Sequence, residues 1–305
     1  MNERLILMTK RLFVSLALLC SAYGQWEPLP PLPEPNGGGV SGHQNGQIIL
    51  MGGTNWEGGK KNWLKKIHTF DPSSKVWKST QELPEPVGYA ITVQTQEGLS
   101  YLGGFNGEKV NPVGAFKHAA LAAGGVIGQS VIAVGGTDDP ANLAGVSRET
   151  WLLDKEGKRL ADFPGKPFAT AASSVVGDAL FVFGGMNFET TTQTVMNTAV
   201  AYAFTPEKNQ WRSLRPLAHA TRGLCAVALD EQHIYIAGGY RDDFTAAAVI
   251  YDVQADSYRE ATPLPYAAMV SLVKLGGSVY CLGGEDKKQS RTDKFYRIPV
   301  AELLK

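Results

Sequence analysis

The hydrophobic residues of this chain gather into six short runs, each four or five residues long and each closed by a pair of glycines. They are Gln47–Met51 before Gly52-Gly53, Leu99–Leu102 before Gly103-Gly104, Ser130–Val134 before Gly135-Gly136, Ala179–Phe183 before Gly184-Gly185, His233–Ala237 before Gly238-Gly239, and Ser278–Leu282 before Gly283-Gly284. Runs this short, bounded by glycine, predict strands. The doublets recur at roughly 50 residues, with one short interval from Gly103 to Gly135. A second mark keeps register with them. Trp26 is followed six positions later by Leu32-Pro33-Glu34-Pro35, and then by Gly52; Trp77, Leu83-Pro84-Glu85-Pro86 and Gly103 repeat both offsets. Trp211 with Leu217, and Tyr258 with Leu264-Pro265, repeat the six-position step. Turn-forming stretches such as Asp71-Pro72-Ser73-Ser74 and Thr205-Pro206-Glu207-Lys208 precede the aromatics.

Each repeat therefore predicts four antiparallel strands, which make one propeller blade. Radial repetition accounts for the fixed period, which a β-sandwich leaves unexplained. The expected architecture is all-β, a six-bladed propeller, and the repeats resemble the kelch repeat over residues 25–305. The first strand, Gln25–Leu29, is expected to complete the sixth blade, whose own strands end with Lys294–Val300, and so to hide an edge that would invite aggregation. One blade is expected to be short: the interval between Gly103 and Gly135 leaves Phe105–Phe116 no room for two more strands.

The segment before Gln25 follows a different pattern. Lys10 and Arg11 precede the apolar run Leu12 to Leu19, and Ser21, Ala22 and Gly24 follow. This is the order of a secretory signal cleaved after Gly24, which predicts an exported protein, periplasmic or secreted, with no membrane insertion once the signal is gone. Cys20 raises lipoprotein processing as an alternative, against which stands the bulk of Leu19. Beyond the signal only Cys225 and Cys281 remain, too few for a disulfide framework. The 29 basic residues balance the 29 acidic ones without long charge runs, which argues against a nucleic-acid partner.

Function must then lie in the loops, because the fold names none. Those after the glycine pairs, together with those after the Leu-Pro segments, form one rim around the central channel. They carry Asn55, Trp56, Asn187, Glu285, Tyr89, His219, Arg222 and Tyr266. The stretch Gly283-Gly284-Glu285-Asp286-Lys287-Lys288-Gln289-Ser290-Arg291-Thr292-Asp293 resembles one in the sialic acid mutarotases, or N-acetylneuraminate epimerases. The lysine pair of Glu57-Gly58-Gly59-Lys60-Lys61-Asn62-Trp63 is similar to a loop of that family in cyclically permuted order. The resemblance implies that Glu285 accepts the anomeric hydroxyl proton and that Arg291 pairs with the carboxylate of a small acidic sugar. Their place on the rim makes Asn55, Trp56, Tyr89, Asn187 and Arg222 candidate substrate contacts beside this pair. No metal or cofactor is expected, since a positioned carboxylate suffices for mutarotation. Val87, Phe168, Leu224 and Lys66 depart from the family's polar pattern. The alternative expectation is a non-catalytic kelch propeller that binds a glycan or a protein on the same rim. A copper radical oxidase would need paired histidines, and the five histidines are scattered over different repeats.

Overall fold

A computed structural model describes residues 24–154 and 157–305. The signal expected at residues 1–24 therefore lies, as far as residue 23, outside the described residues. The regular secondary structure of the described residues is almost entirely strand, with one 3-10 turn (Leu143–Gly145) and one short helix (Val300–Leu303). None of its helices is long and apolar enough to cross a membrane.

Among the described residues, five sheets have four strands each. The first repeat contributes Val40–Gln44, Gln47–Met51, Lys66–Asp71 and Val76–Glu82; the third, Ala123–Ile127, Ser130–Val134, Thr150–Leu152 and Lys158–Arg159. The fourth has Ala172–Val176, Ala179–Phe183, Ala201–Thr205 and Gln210–Ser213, and the fifth Cys225–Ala228, His233–Ala237, Ala248–Asp252 and Ser257–Glu260. In the sixth, Met269–Leu275, Ser278–Glu285 and Phe295–Pro299 are completed by Glu27–Pro28, with Glu27 opposite Arg297 and Pro28 opposite Tyr296. The first strands of the repeats lie side by side around an axis in chain order, the sixth returning to the first.

The glycine pairs hold this ring together. In every pair both residues have φ between +48° and +109°, which a side chain disfavours. In the fourth repeat Gly184 N–H donates to Val200 O (2.8 Å), Gly185 N–H to Thr221 O (2.9 Å), and Thr198 N–H to Gly185 O (3.0 Å). A Cβ on Gly184 would lie 2.5 Å from the Thr221 carbonyl oxygen. The doublet thus lets the second strand end against the next blade.

The aromatic mark is a second inter-blade tie. Trp77 donates its indole N–H to Pro30 O (3.1 Å), Trp211 to Ala161 O (2.9 Å), and Trp26 to Pro263 O (2.8 Å), while the Tyr258 hydroxyl donates to Arg215 O (2.8 Å). Each bond runs from the outermost strand of one blade to the chain leaving the blade before it. Between blades lie apolar clusters such as Leu29, Leu32, Ile48, Phe70 and Phe295, in which Phe70 and Phe295 meet edge to face at 4.8 Å.

The expected count of six blades is corrected to five. The second repeat supplies only Ile91–Gln94 and Leu99–Leu102, a two-stranded sheet seated between the first strands of its neighbours. The cause is length. Two anchors recur in each repeat: the residue whose N–H reaches the second glycine's carbonyl, and the residue whose carbonyl receives that glycine's N–H. The chain between them runs from Leu64 to Val87 in the first repeat, Ser147 to Phe168 in the third, Thr198 to Thr221 in the fourth and Thr245 to Ala268 in the fifth. Each of these stretches holds two strands and their turn. In the second repeat the same stretch runs only from Asn111 to Ala119. A turn closed by Val113 and Phe116 stands where two strands stand elsewhere.

Candidate functional site

The channel mouth is ringed by backbone. Gly223 N–H donates to Thr170 O, Thr170 N–H to Leu121 O, Leu121 N–H to Tyr89 O, and Tyr89 N–H to Gly38 O, at 2.8–3.0 Å. Tyr89, Leu121 and Thr170 hold positive φ of 60°, 56° and 57° to make these bonds. In β-branched Thr170 that is strain, on the order of 1–2 kcal/mol. Below the collar, a cavity of about 330 Å³ is lined mostly by small residues, among them Ser41, Thr92, Ser173, Cys225 and Ser271.

Three of the expected site residues meet on this rim. Arg291 donates from one terminal nitrogen to Glu285 Oε2 (2.9 Å) and Ser290 O (2.6 Å), from Nε to the Thr54 hydroxyl (3.1 Å), and from its other terminal nitrogen to the Tyr89 hydroxyl (3.4 Å). The loop after the sixth glycine pair is thereby tied to the first and second repeats. Arg291's side chain is only 4% exposed, against 29% for Glu285. Lys61 also donates to the Tyr89 hydroxyl, and its ammonium lies 4.7 Å from the Tyr89 ring centre and 4.9 Å from that of Trp63. Trp63 stands edge-on to Tyr89 (5.4 Å) and Phe105 (4.8 Å). Lys61, Tyr89 and Trp63 thus form a cationic and aromatic face beside the ion pair. Neither Glu285 nor Arg291 lines the channel cavity.

Asn55 and Trp56 lie in the same quarter, on a hairpin of Thr54–Glu57 and Lys60–Trp63, where Asn62 Nδ2 donates to Asn55 Oδ1 (3.0 Å). The Trp56 indole N–H is buried with no partner among the described residues. Asn187 and Arg222 lie across the channel. Asn187 sits on a hairpin of Met186–Glu189 and Thr194–Asn197 and donates to Pro167 O (2.8 Å). Arg222 donates to Asn197 Oδ1 (2.8 Å) and stacks on Tyr240 at 4.3 Å. This second hairpin borders an open groove of about 580 Å³ with Lys166, Phe188 and Met196, the last 54% exposed. The seven expected site residues therefore form two groups rather than one site.

Of the positions that depart from the mutarotase pattern, Leu224 lines the channel cavity and the other three do not. Val87 and Phe168 are buried, and their carbonyls accept from Gly53 and Gly136. Lys66 faces Glu34 (3.8 Å) on the outer part of its blade. Tyr266 donates to Gly283 O (2.7 Å) and carries Lys294 over its ring at 4.9 Å. Burial pushes the Cys225 thiol up and the Cys281 thiol up to about 12, so both stay protonated. Among the described residues no three of His, Cys, Asp and Glu converge. Sequence reasoning missed Thr54 and Ser290, which hold Arg291, because nothing local marks a hydroxyl or a carbonyl as a guanidinium acceptor.

Comparison with known proteins finds a Kelch motif at residues 167–218, which cover most of the fourth blade. The chain is 25% identical over 248 residues to the spermatocyte protein spe-26 of Caenorhabditis elegans, covering 78% of this chain and 36% of that protein. It is 24% identical over 228 residues to Kelch-like protein 36 of Bos taurus, covering 72% and 30%. To the N-acetylneuraminate epimerase of Yersinia pestis (strain Pestoides F) it is 30% identical over 177 residues, covering 49% and 45%. The chain spans about a third of the length of the first two relatives. Motif, repeats and sheets together make the propeller kelch-like, and the likeness to the epimerases is partial.

Proposed function

We propose that this chain is a non-catalytic kelch propeller that holds an acidic glycan on its rim, against Lys61, Tyr89 and Trp63. One observation carries the reading: the Arg291 guanidinium is taken up by four protein acceptors and is almost wholly buried. A guanidinium so engaged ties two ends of the ring together, and Glu285 is the counterion that balances it. A base catalyst must come within hydrogen-bond reach of the proton it removes, with space for the sugar beside it. Lys61 faces the rim beside this pair, flanked by two rings on which the apolar face of a sugar can rest. The relatives matched over most of this chain carry no enzyme's name. With the expected signal at residues 1–24, the protein works outside the cytoplasm in this reading, periplasmic or secreted.

Saturation-transfer NMR with N-acetylneuraminate tests it. The expected result is transfer to the ring protons, weakened about tenfold in affinity by Lys61→Ala, the loss of one charge-assisted contact. No transfer, or transfer indifferent to Lys61→Ala, sinks the glycan reading and leaves a protein ligand.

The second reading is N-acetylneuraminate epimerase activity, favoured by the 30% match over 177 residues and by the Glu285–Arg291 contact. Proton NMR of freshly dissolved α-N-acetylneuraminate separates the two. Equilibration at the spontaneous rate supports the binding module; acceleration that Glu285→Gln abolishes establishes the enzyme.

A further inference from the structure

The second repeat leaves a sheet edge open in the side wall of the ring, and we propose that this edge is a docking site for an extended strand of a partner protein. In the other five repeats the corresponding second strand is covered. The first residue of each is half-buried and the next four are buried. In Leu99–Leu102 no residue is buried. The first glycine of the other five pairs is buried as well, whereas Gly103 is half-exposed.

The backbone bonds show what is missing. Gly52, Gly135, Gly184, Gly238 and Gly283 each donate their N–H to the start of the third strand: to Lys66, Glu149, Val200, Ala247 and Lys294 O, at 2.8–3.1 Å. Among the described residues the equivalent bond from Gly103 is absent. In an antiparallel ladder the N–H and C=O of a residue face one side, alternating along the strand. Gly103, Tyr101 and Leu99 therefore present their N–H groups, and Tyr101 and Leu99 their carbonyls, to the empty side. Ser100 and Leu102 face the paired strand Ile91–Gln94. The turn closed by Val113 and Phe116 packs on the third repeat, where Phe116 lies 6.2 Å from Trp151, and does not pair with this edge.

The shape of the opening selects the occupant. On one side the first repeat continues outward through Lys66–Asp71 and Val76–Glu82; on the other the third continues through Thr150–Leu152 and Lys158–Arg159. With strands about 4.8 Å apart, the edge lies at the bottom of a notch roughly 10 Å deep. A second ring cannot bring its own recessed edge down to this one. A single extended chain, or a strand–turn–strand, can enter. The fold already accepts an outer strand that does not follow on from the rest of its blade, since Glu27–Pro28 completes the sixth repeat. Open apolar edges are otherwise blunted by charge or proline, and Leu99-Ser100-Tyr101-Leu102 carries neither. Main-chain bonds would supply the affinity, and alternate apolar side chains would settle against Leu99 and Tyr101, which pack on the cluster of Val40, Ile49, Met51, Leu83 and Val87.

The probe is a fluorescein-labelled peptide of residues 200–214, the strand–turn–strand of the fourth blade, followed by anisotropy and by amide hydrogen exchange of the full chain. The expected result is binding with Kd on the order of 10 µM, with the amides of Leu99, Tyr101 and Gly103 slowed about tenfold on binding. The same peptide N-methylated at Tyr202 and Phe204, whose amides would face the edge, should lose binding about tenfold or more. Tyr101→Pro should do likewise with the fold intact, because proline is tolerated where an N–H faces outward, while Tyr101→Ala, which keeps the N–H and loses only the ring contact, should weaken binding far less. Absence of binding, or binding that leaves those three amides unprotected or ignores N-methylation, overturns the proposal. So does sedimentation showing a dimer that Tyr101→Pro breaks, which would make the occupant a second copy.

Discussion

Arg291 and Glu285 stand 2.9 Å apart in one loop, yet the guanidinium is turned inward to Thr54 and Tyr89, residues more than 200 positions away in the chain. The contact is at once an ion pair and the joint between the last repeat and the first two. Arg291→Lys keeps the charge but cannot supply the planar set of donors, and should lower stability by about 1–2 kcal/mol. Glu285→Gln leaves the buried guanidinium without its counterion and should cost more, about 3 kcal/mol. Urea midpoints of the two variants check this; an Arg291→Lys variant as stable as the parent would show that Arg291 acts only through its charge.

The glycine pairs should tolerate no side chain. Gly184→Ala combines a positive φ with a Cβ 2.5 Å from a carbonyl oxygen and is expected to cost about 3 kcal/mol or more. Gly177→Ala has a φ of 59° but nothing within 4 Å, so the backbone penalty alone, about 1–2 kcal/mol, is expected. Denaturant melts of the pair separate close approach from backbone preference.

His68 is buried between Ser79 (2.5 Å) and Glu34 (3.1 Å), and burial pushes its imidazole below the usual 6.5. The unfolded chain therefore takes up this proton at a higher pH than the folded one does. The contribution to stability is complete above pH 6.5 and shrinks as the pH falls below it. Chemical denaturation at pH 7.5 and 5.5 should show this loss in the parent and a smaller one in His68→Asn. An identical pH dependence in the variant would remove His68 as the cause.

The second repeat should open first. With two strands in place of four, amides around Phe105–Phe116 are expected to exchange fastest among the segments that join repeats, since few bonds must break there. Native-state hydrogen exchange with equal protection across all repeats would contradict this.

A chain begun at Pro33 lacks the strand paired with Phe295–Pro299 and leaves that edge uncovered. The expected outcome is aggregation or a large drop in Tm. A truncated protein that stayed monomeric and melted with the parent would show that the closing strand is dispensable.

Strand positions were legible because each is fixed by a backbone demand that only glycine meets, and each doublet marks one strand end. The aromatic register was legible because Trp26, Trp77, Trp211 and Tyr258 make the same inter-blade bond. The blade count was only half legible. Leu99–Leu102 reads like any other second strand, and Val110, Val113 and Phe116 are apolar enough to pass for more of a blade, so only chain length betrays the loss. At the site, Glu285 and Arg291 were put together by the family resemblance alone, whereas Thr54 and Tyr89 reach Arg291 only through ring closure. Grouping Asn187 and Arg222 with them ignored what repeat number implies: the fourth and fifth repeats face the channel from the far side.

The closing strand also sets a clock. Arg297 holds Glu27 at 2.6 Å across 270 residues of chain. At roughly 5–20 residues per second, a ribosome needs about 15–50 s to make the chain that separates them. Leu29 meets Ile48 and Phe70 of the first repeat early, but Trp26, which ends up packed against the fifth and sixth repeats, waits through most of that interval. The first strand made is the last to be used, and until then the growing chain must keep it from pairing elsewhere.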